Sequence, residues 1–349
     1  MHWNELKQEI LERARSRTVI ITGAGGGIGA ATAREFNNYG SNVVLADIPA
    51  LESNAKELIV SFAYPDNAVF IAVDIRDWQQ MQSLFKKTME TFGSVDTVVA
   101  NAGVMESEHV LDMENVDGEG HLRESEEASR VIDINLKGTL NTLRLAMHHM
   151  RFSSTTKNGQ PSIVLVASTS GYFGGTGVAA YIASKHGVIG LLRASQLAAK
   201  KYGISITAVA PFFTPTAITS GLSERWKAAG LEANTPEMVG KILNHNASEH
   251  SNLSLDITQY LPIRQIQTID NFFRKSLKAT MCIKKPQSRF LILSTNGTIP
   301  SHASLVVRLI ALPILPRQTV IPVLFLLNLT DGNSSLDGLA APHDGDTFD

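Results

Sequence analysis

The sequence predicts a doubly wound α/β fold, in which a parallel sheet carries helices on both faces. Three observations lead there. Short β-branched runs alternate with helical patterns at the spacing of βαβ units. The first run ends in a glycine-rich turn that opens a helix. The 349 residues, 44% hydrophobic and 18% charged, suffice to bury one large core. A formal net charge of −2 supplies no bulk attraction for nucleic acid.

The opening MHWNELKQEILERARSR is charged and helix-like, so residues 1–15 read as a helical lead without an apolar signal core. TVIIT at 18–22 is the first strand, GAGGGIG the turn, and AATAREFNNYG a helix ending at glycine. NVVLAD at 42–47, AVFIAVD at 68–74 and VDTVVANAG at 95–103 continue the sheet, with the amphipathic WQQMQSLFKKTMETFG before the last of these. SIVLVAS at 162–168 and ISITAVAP at 204–211 add two strands around another helix, so residues 16–245 form the expected domain. Between them, residues 106–127 carry nine acidic side chains and read as a solvated segment. The single cysteine, Cys282, excludes an internal disulfide and fits a reducing compartment, making the cytoplasm the expected location. Sequons at Asn246, Asn252, Asn296, Asn328 and Asn333 then read as composition.

Gly23, Gly27 and Gly29 sit between a strand and a helix, where the chain must turn tightly and let a pyrophosphate approach without meeting a Cβ. The helix N-terminus adds free N–H groups and partial positive charge. Asp47 closes the second strand, 24 residues after Gly23, where a carboxylate accepts from ribose hydroxyls and repels a 2′-phosphate. No Arg or Lys lies within 23–29 or 46–51, so NAD is favoured over NADP. Tyr181 and Lys185 are four apart on a helical pattern and share a face. That spacing alone does not separate a catalytic pair from two neighbours.

Over residues 18–216 the chain resembles the short-chain dehydrogenase/reductase family, NAD-type, near 15-hydroxyprostaglandin-dehydrogenase-like and fungal secondary-metabolite members. TGAGGGIG, including Ile28, is similar to the family's cofactor loop. Asn101, Ala102 and Gly103 resemble its sheet-stabilising motif beside the adenine, and Asp74 with Ile75 its adenine contact. Asn135 in DINLKGT, Ser168 (13 residues before Tyr181), Tyr181 and Lys185 match its catalytic tetrad. Thr214 and Thr216 occupy its two carboxamide-contact positions, although Phe212 stands where the family has glycine.

The resemblance implies a Rossmann fold and interconversion of a secondary alcohol and a ketone. Lys185 is expected to lower the phenol pKa of Tyr181 from about 10, making it the base. Ser168 would bind the substrate oxygen, and Asn135 would hold a water in a proton relay through Lys185. The expected partners are a small alcohol or ketone and a second copy, as homodimer or homotetramer, with no nucleic acid. No HExxH or paired-cysteine spacing indicates a metal, and no Gly-x-Ser-x-Gly elbow indicates a hydrolase. A nucleotide-binding regulator or scaffold with weak turnover is the alternative.

Residues 246–349 lack a recognisable last strand and read as an atypical, loosely ordered extension. Their apolar run 306–329 contains Arg308, Pro313, Pro316, Arg317 and Pro322, which argues against a spanning helix. Phe173, Phe212, Phe213 and Trp226 are candidate pocket-lining residues. They suggest an apolar substrate such as a terpenoid or polyketide of secondary metabolism, unless these rings are core.

Overall fold

The structure, a computed structural model, describes residues 11–151, 159–172, 177–249 and the backbone of 255–256. Among the described residues seven parallel strands form one sheet in the order β3-β2-β1-β4-β5-β6-β7. They are β1 (Thr18–Thr22), β2 (Asn42–Asp47), β3 (Ala68–Ala72), β4 (Thr97–Ala100), β5 (Ser162–Val166), β6 (Ser205–Val209) and β7 (Leu255–Asp256).

Successive strand side chains point to opposite faces, and here both faces are covered, so the strands read as unbroken apolar runs. Ile20, Val44, Val98, Ile163 and Leu165 pack to one side, with Met81, Leu84 and Phe85 of α3 (Trp78–Phe92). That side also holds α5 (Thr139–Met150) and α6 (Ala179–Lys201), through Leu143 and Leu192. Val19, Ile21, Leu45, Val99 and Val164 pack to the other side, against Ala33 and Phe36 of α1 (Gly27–Asn38) and Val239 and Leu243 of α8 (Pro236–Ser248). Burying each such side chain contributes about 1.5–3 kcal/mol. The remaining helices are α2 (Glu52–Val60), α4 (Glu126–Ile132) and α7 (Ser220–Ala228).

Local chemistry sets several of these ends. Asp77 caps α3 by accepting from Gln80 N, and Gly93 ends it in the left-handed conformation, φ 78°. Around Asn135, residues Asp133–Gly138 form a π-helical turn between α4 and α5. Ile75 fills the space there, since a Cβ on Gly138 would lie 2.4 Å from Ile75 Cδ1.

The sheet corrects one expectation. Leu255 and Asp256 pair with Ala208 and Val209 as a seventh strand, within the stretch read as an extension. A two-residue strand has no periodicity to detect. Helix α8 likewise continues past 245 to Ser248, and its Asn246 is buried with Nδ2 donating to Ile242 O, which removes that sequon from solvent. The 306–329 run, the other sequons and Cys282 lie outside the described residues. Among the described residues no helix is long and apolar enough to cross a membrane.

Candidate active site

Strand order reverses between β1 and β4, which opens a crevice beyond their carboxyl ends where sheets of this type bind ligands. The glycine loop fills one wall. Gly23 adopts φ +70°, and a Cβ there would lie 2.7 Å from Ala102 Cα. Gly29 has no room either, because its Cβ would come within 2.0 Å of Gly23 O. Helix α1 then starts at Gly27 with no side-chain cap, so its first N–H groups face the loop as anion donors. Such a cradle fits a dinucleotide pyrophosphate.

The Asn101–Gly103 segment braces that loop. Asn101 Nδ2 donates to Thr22 O (3.0 Å) and Gly23 O (3.1 Å), while Thr22 Oγ1 accepts from the backbone of Asn101 and Ala102. Asp47 ends β2 with its carboxylate beside the loop, accepting from Gly25 N and Ile48 N, both at 2.8 Å. Ile28 is half-buried and packs on the core beneath α1. Asp74 is held by Arg76, whose guanidinium hydrogen bonds keep its carboxyl below the usual range. Ile75 turns its side chain into the core.

The tetrad residues come from three different segments and converge. Ser168 follows β5, and Tyr181 and Lys185 lie one turn apart in α6. Ser168 Oγ accepts from Ser170 N at 3.1 Å and lies near enough to the Tyr181 phenol to lower its pKa. The hydroxyl thus caps its own turn and still reaches the phenol. Lys185 Nζ lies 5.7 Å from the Tyr181 ring centroid and donates to Val166 O at 2.9 Å. Asn135 is fully buried in the π turn, a distortion frequent at functional sites. Its amide grips Val104 through N–H and C=O, each at 2.8 Å, and donates to Ser184 Oγ at 3.0 Å. Gly103 joins the parts, since a Cβ there would sit 3.2 Å from Asn135 Oδ1 and 3.5 Å from Lys185 Nζ.

Electrostatics differ from the sequence expectation. Burial pushes the Tyr181 phenol up, with Ser168 opposing only in part. Burial also drives Lys185 down, to about 8. The phenol's own loss of water is the largest influence on it, opposite in sign to the stabilisation of phenolate expected from a neighbouring ammonium. Near neutrality the pair is therefore a phenol beside an ammonium, set up to give a proton.

Sequence reading missed three supporting groups. Ser184 orients the Asn135 amide, Arg130 donates to Met105 O (3.1 Å), and Glu106 accepts from Ala180 N and Tyr181 N. Only Ser184 carried a signal, lying three residues after Tyr181 on the same helix face.

Proteins of similar sequence point to one family. The profile of the family described as short chain dehydrogenase matches residues 17–227. The chain belongs to the short-chain dehydrogenase/reductase family. Short-chain dehydrogenase/reductase prx4 of Penicillium roqueforti is 33% identical over 243 residues, covering 69% of this chain and 68% of that protein. The 3-oxoacyl-[acyl-carrier-protein] reductase FabG of Thermotoga maritima is 30% identical over 249 residues, covering 68% and 93%. A crystal structure of 3-ketoacyl-(acyl-carrier-protein) reductase from Brucella melitensis complexed with NADH shares the fold. Its TM-score is 0.58 at 22% identity, covering 69% of this chain and 95% of that one. Nicotinamide-dependent oxidoreduction is the family's general chemistry.

Within this short-chain dehydrogenase/reductase the departure at Phe212 is accommodated. Among the described non-glycine residues only Ser16 has positive φ, so the turn at Phe212 needs no glycine. Thr214 Oγ1 donates to Phe212 O at 2.9 Å, and Thr219 Oγ1 ties Thr214 O to Thr216 N. The side chain of Thr216 overhangs the glycine loop, 3.1 Å from where a Gly27 Cβ would be. Trp226 is not a pocket-lining residue: it is 2% exposed, stacks on Phe213 at 4.3 Å and donates to Glu232 O. Phe212 meets it edge-on at 5.4 Å, so the aromatics form a small core that supports the loop. Phe212 and Phe213 remain half-buried, and Phe173 lies outside the described residues.

Proposed function

We propose that this protein is an NAD-dependent short-chain alcohol dehydrogenase or ketoreductase that interconverts a secondary alcohol and a ketone. The observation that carries the reading is the Tyr181 phenol beside Ser168, with Lys185 Nζ 5.7 Å from its ring centroid. In reduction Tyr181 gives its proton to the carbonyl oxygen as the carbon gains hydride, and oxidation reverses both transfers. Ser168 stabilises the developing negative charge on that oxygen. The nicotinamide cofactor, when bound, supplies or takes up the hydride. Gly23, Gly27 and Gly29 would hold its pyrophosphate, Asp47 its ribose, and Thr214 and Thr216 its carboxamide.

Preference for NAD is supported by the Asp47 carboxylate beside Gly25 N and by the lack of a cation in 23–29 and 46–51. An apolar substrate, such as a terpenoid or polyketide of secondary metabolism, is supported by the half-buried Phe212 and Phe213. A homodimer or homotetramer fits Leu197 of α6, 84% exposed, and Leu140 of α5. Convergence of the tetrad favours turnover over a regulatory scaffold. The test is NADH fluorescence on mixing protein, NAD⁺ and a panel of lipophilic secondary alcohols. Turnover with NAD⁺ that Tyr181→Phe abolishes is expected; equal turnover in that variant overturns the assignment.

A further inference from the structure

Helix α6 carries Tyr181 in its first turn, yet nothing local caps it. The residue at the N-cap is Val178, an apolar side chain without an acceptor, and no side-chain cap hydrogen bond forms there. A cap residue would accept from the second and third helical N–H groups, here Ala180 and Tyr181. Those two donors are taken by Glu106, which lies 74 and 75 residues away in the chain. Oε1 accepts from Ala180 N at 3.1 Å and Oε2 from Tyr181 N at 3.3 Å, so each carboxylate oxygen closes one orphan donor.

Glu106 is itself fixed from both sides. Val104 is gripped by the Asn135 amide through both of its backbone groups. Met105 O accepts from Arg130 Nη2, and Ser107 donates through N and Oγ to Glu127. Glu127 and Arg130 form a 2.6 Å ion pair, and the arginine holds that carboxyl at about 2, so the anchor stays charged across the working pH range. The segment 104–107 therefore runs as a taut strap from the π turn of α4–α5 to the start of α6. It links Asn135 to the backbone of Tyr181 by a route separate from Ser184.

We propose that Glu106 is a positioning residue: supplied from across the site, it caps the catalytic helix and fixes where Tyr181 stands relative to Ser168 and Asn135. This inference rests on the reading of Tyr181 as the proton donor and acceptor. Its charge complements the positive end of the helix macrodipole, and its geometry does what Val178 cannot.

The experiment uses the full chain and two readouts. Amide hydrogen exchange of the peptide spanning 178–185 needs no substrate. Glu106→Ala should speed exchange at Ala180 and Tyr181 about 2- to 30-fold, the equilibrium equivalent of a lost cap, while the middle of α6 is unchanged. Glu106→Gln keeps one acceptor and should fall between, which covers the case that the alanine variant does not fold. Adding Val178→Asp to Glu106→Ala supplies a local acceptor for the same two donors and should restore slow exchange. With 2-octanol and NAD⁺ as probes, kcat should fall in Glu106→Ala and Glu106→Gln with the KM for NAD⁺ unchanged. It should recover in the Val178→Asp double variant. Unchanged exchange in the first turn of α6 overturns the proposal. So does slow exchange restored by Val178→Asp without recovery of kcat. A wild-type protein that oxidises no alcohol, yet shows the exchange pattern, removes the proposed reaction and the catalytic part of this inference but leaves the cap.

Discussion

Lys185 should cost this protein stability at neutral pH, and replacing it with methionine should show how much. The ammonium is buried, 5% exposed, with Val166 O as its one protein acceptor among the described contacts. Burial lowers its pKa from 10.5 to about 8. A folded-state pKa depressed by that amount means the unfolded chain binds the proton more tightly. Below pH 8 both states are protonated and the folded state bears the whole desolvation cost. Between about 8 and 10.5 only the unfolded state is protonated, so stability rises with pH. At ~1.4 kcal/mol per pKa unit the span is about 3 kcal/mol. Lys185→Met removes the charge but leaves the Val166 carbonyl without its donor, a loss of about 1 kcal/mol. The variant should therefore be about 1–3 kcal/mol more stable than wild type at pH 7, and the advantage should vanish by pH 10.5. Urea denaturation of both proteins at pH 7, 8.5 and 10 measures the difference, and subtraction cancels the other titrating groups. A variant less stable than wild type at pH 7, or a difference that does not change with pH, would refute the reasoning. Turnover in that variant should be lost, so the same side chain trades stability for function.

Three further outcomes are expected. Tyr181→Phe should bind NAD⁺ as wild type does but lose turnover by about 10²–10⁴, the range for removing a positioned proton-transfer group; steady-state kinetics with calorimetry separates the two. Asp47→Ala should narrow the preference for NAD⁺ over NADP⁺ in calorimetric Kd values, because the ribose acceptor and the repulsion of a 2′-phosphate go together. Combining it with Gly26→Arg should widen the shift, since a Cβ at Gly26 meets nothing within 4 Å. Wild-type protein that binds NADP⁺ more tightly would contradict the role given to Asp47. The pH profiles should be asymmetric: burial keeps the proton on Tyr181, so ketone reduction should hold level from pH 6 to 8 while alcohol oxidation climbs. A reduction rate that falls steeply over that interval would place the donor pKa low and reverse the sign argued from burial.

What the sequence made legible follows from which interactions leave a local trace. Strands β1 to β6 showed because both faces of the sheet are buried and each strand must be apolar throughout. Gly23 and Gly29 showed because a Cβ at either would lie 2.7 or 2.0 Å from a backbone atom, and only glycine avoids that. β7 left no trace, since two residues pairing with Ala208 and Val209 need no pattern of their own. The π turn was hidden inside DINLKG because six residues are too few for its longer period to stand out from that of an ordinary helix. Trp226 was misplaced for a related reason: composition cannot distinguish a ring facing a pocket from one stacked on Phe213.

The electrostatic state of the tetrad was the least legible part, and the reason is physical. Proximity of Tyr181 and Lys185 can be inferred from a spacing of four, and proximity alone favours phenolate. Desolvation depends on everything packed around the pair, from Val166 on β5 to Asn135 in the π turn, and its sign here is opposite. Glu106 is brought to the site in the same way, its carboxylate accepting from Tyr181 N although it lies 75 residues away in the chain. Neither contribution can be found by matching motifs, because both come from residues brought to the tyrosine by the fold rather than by the chain.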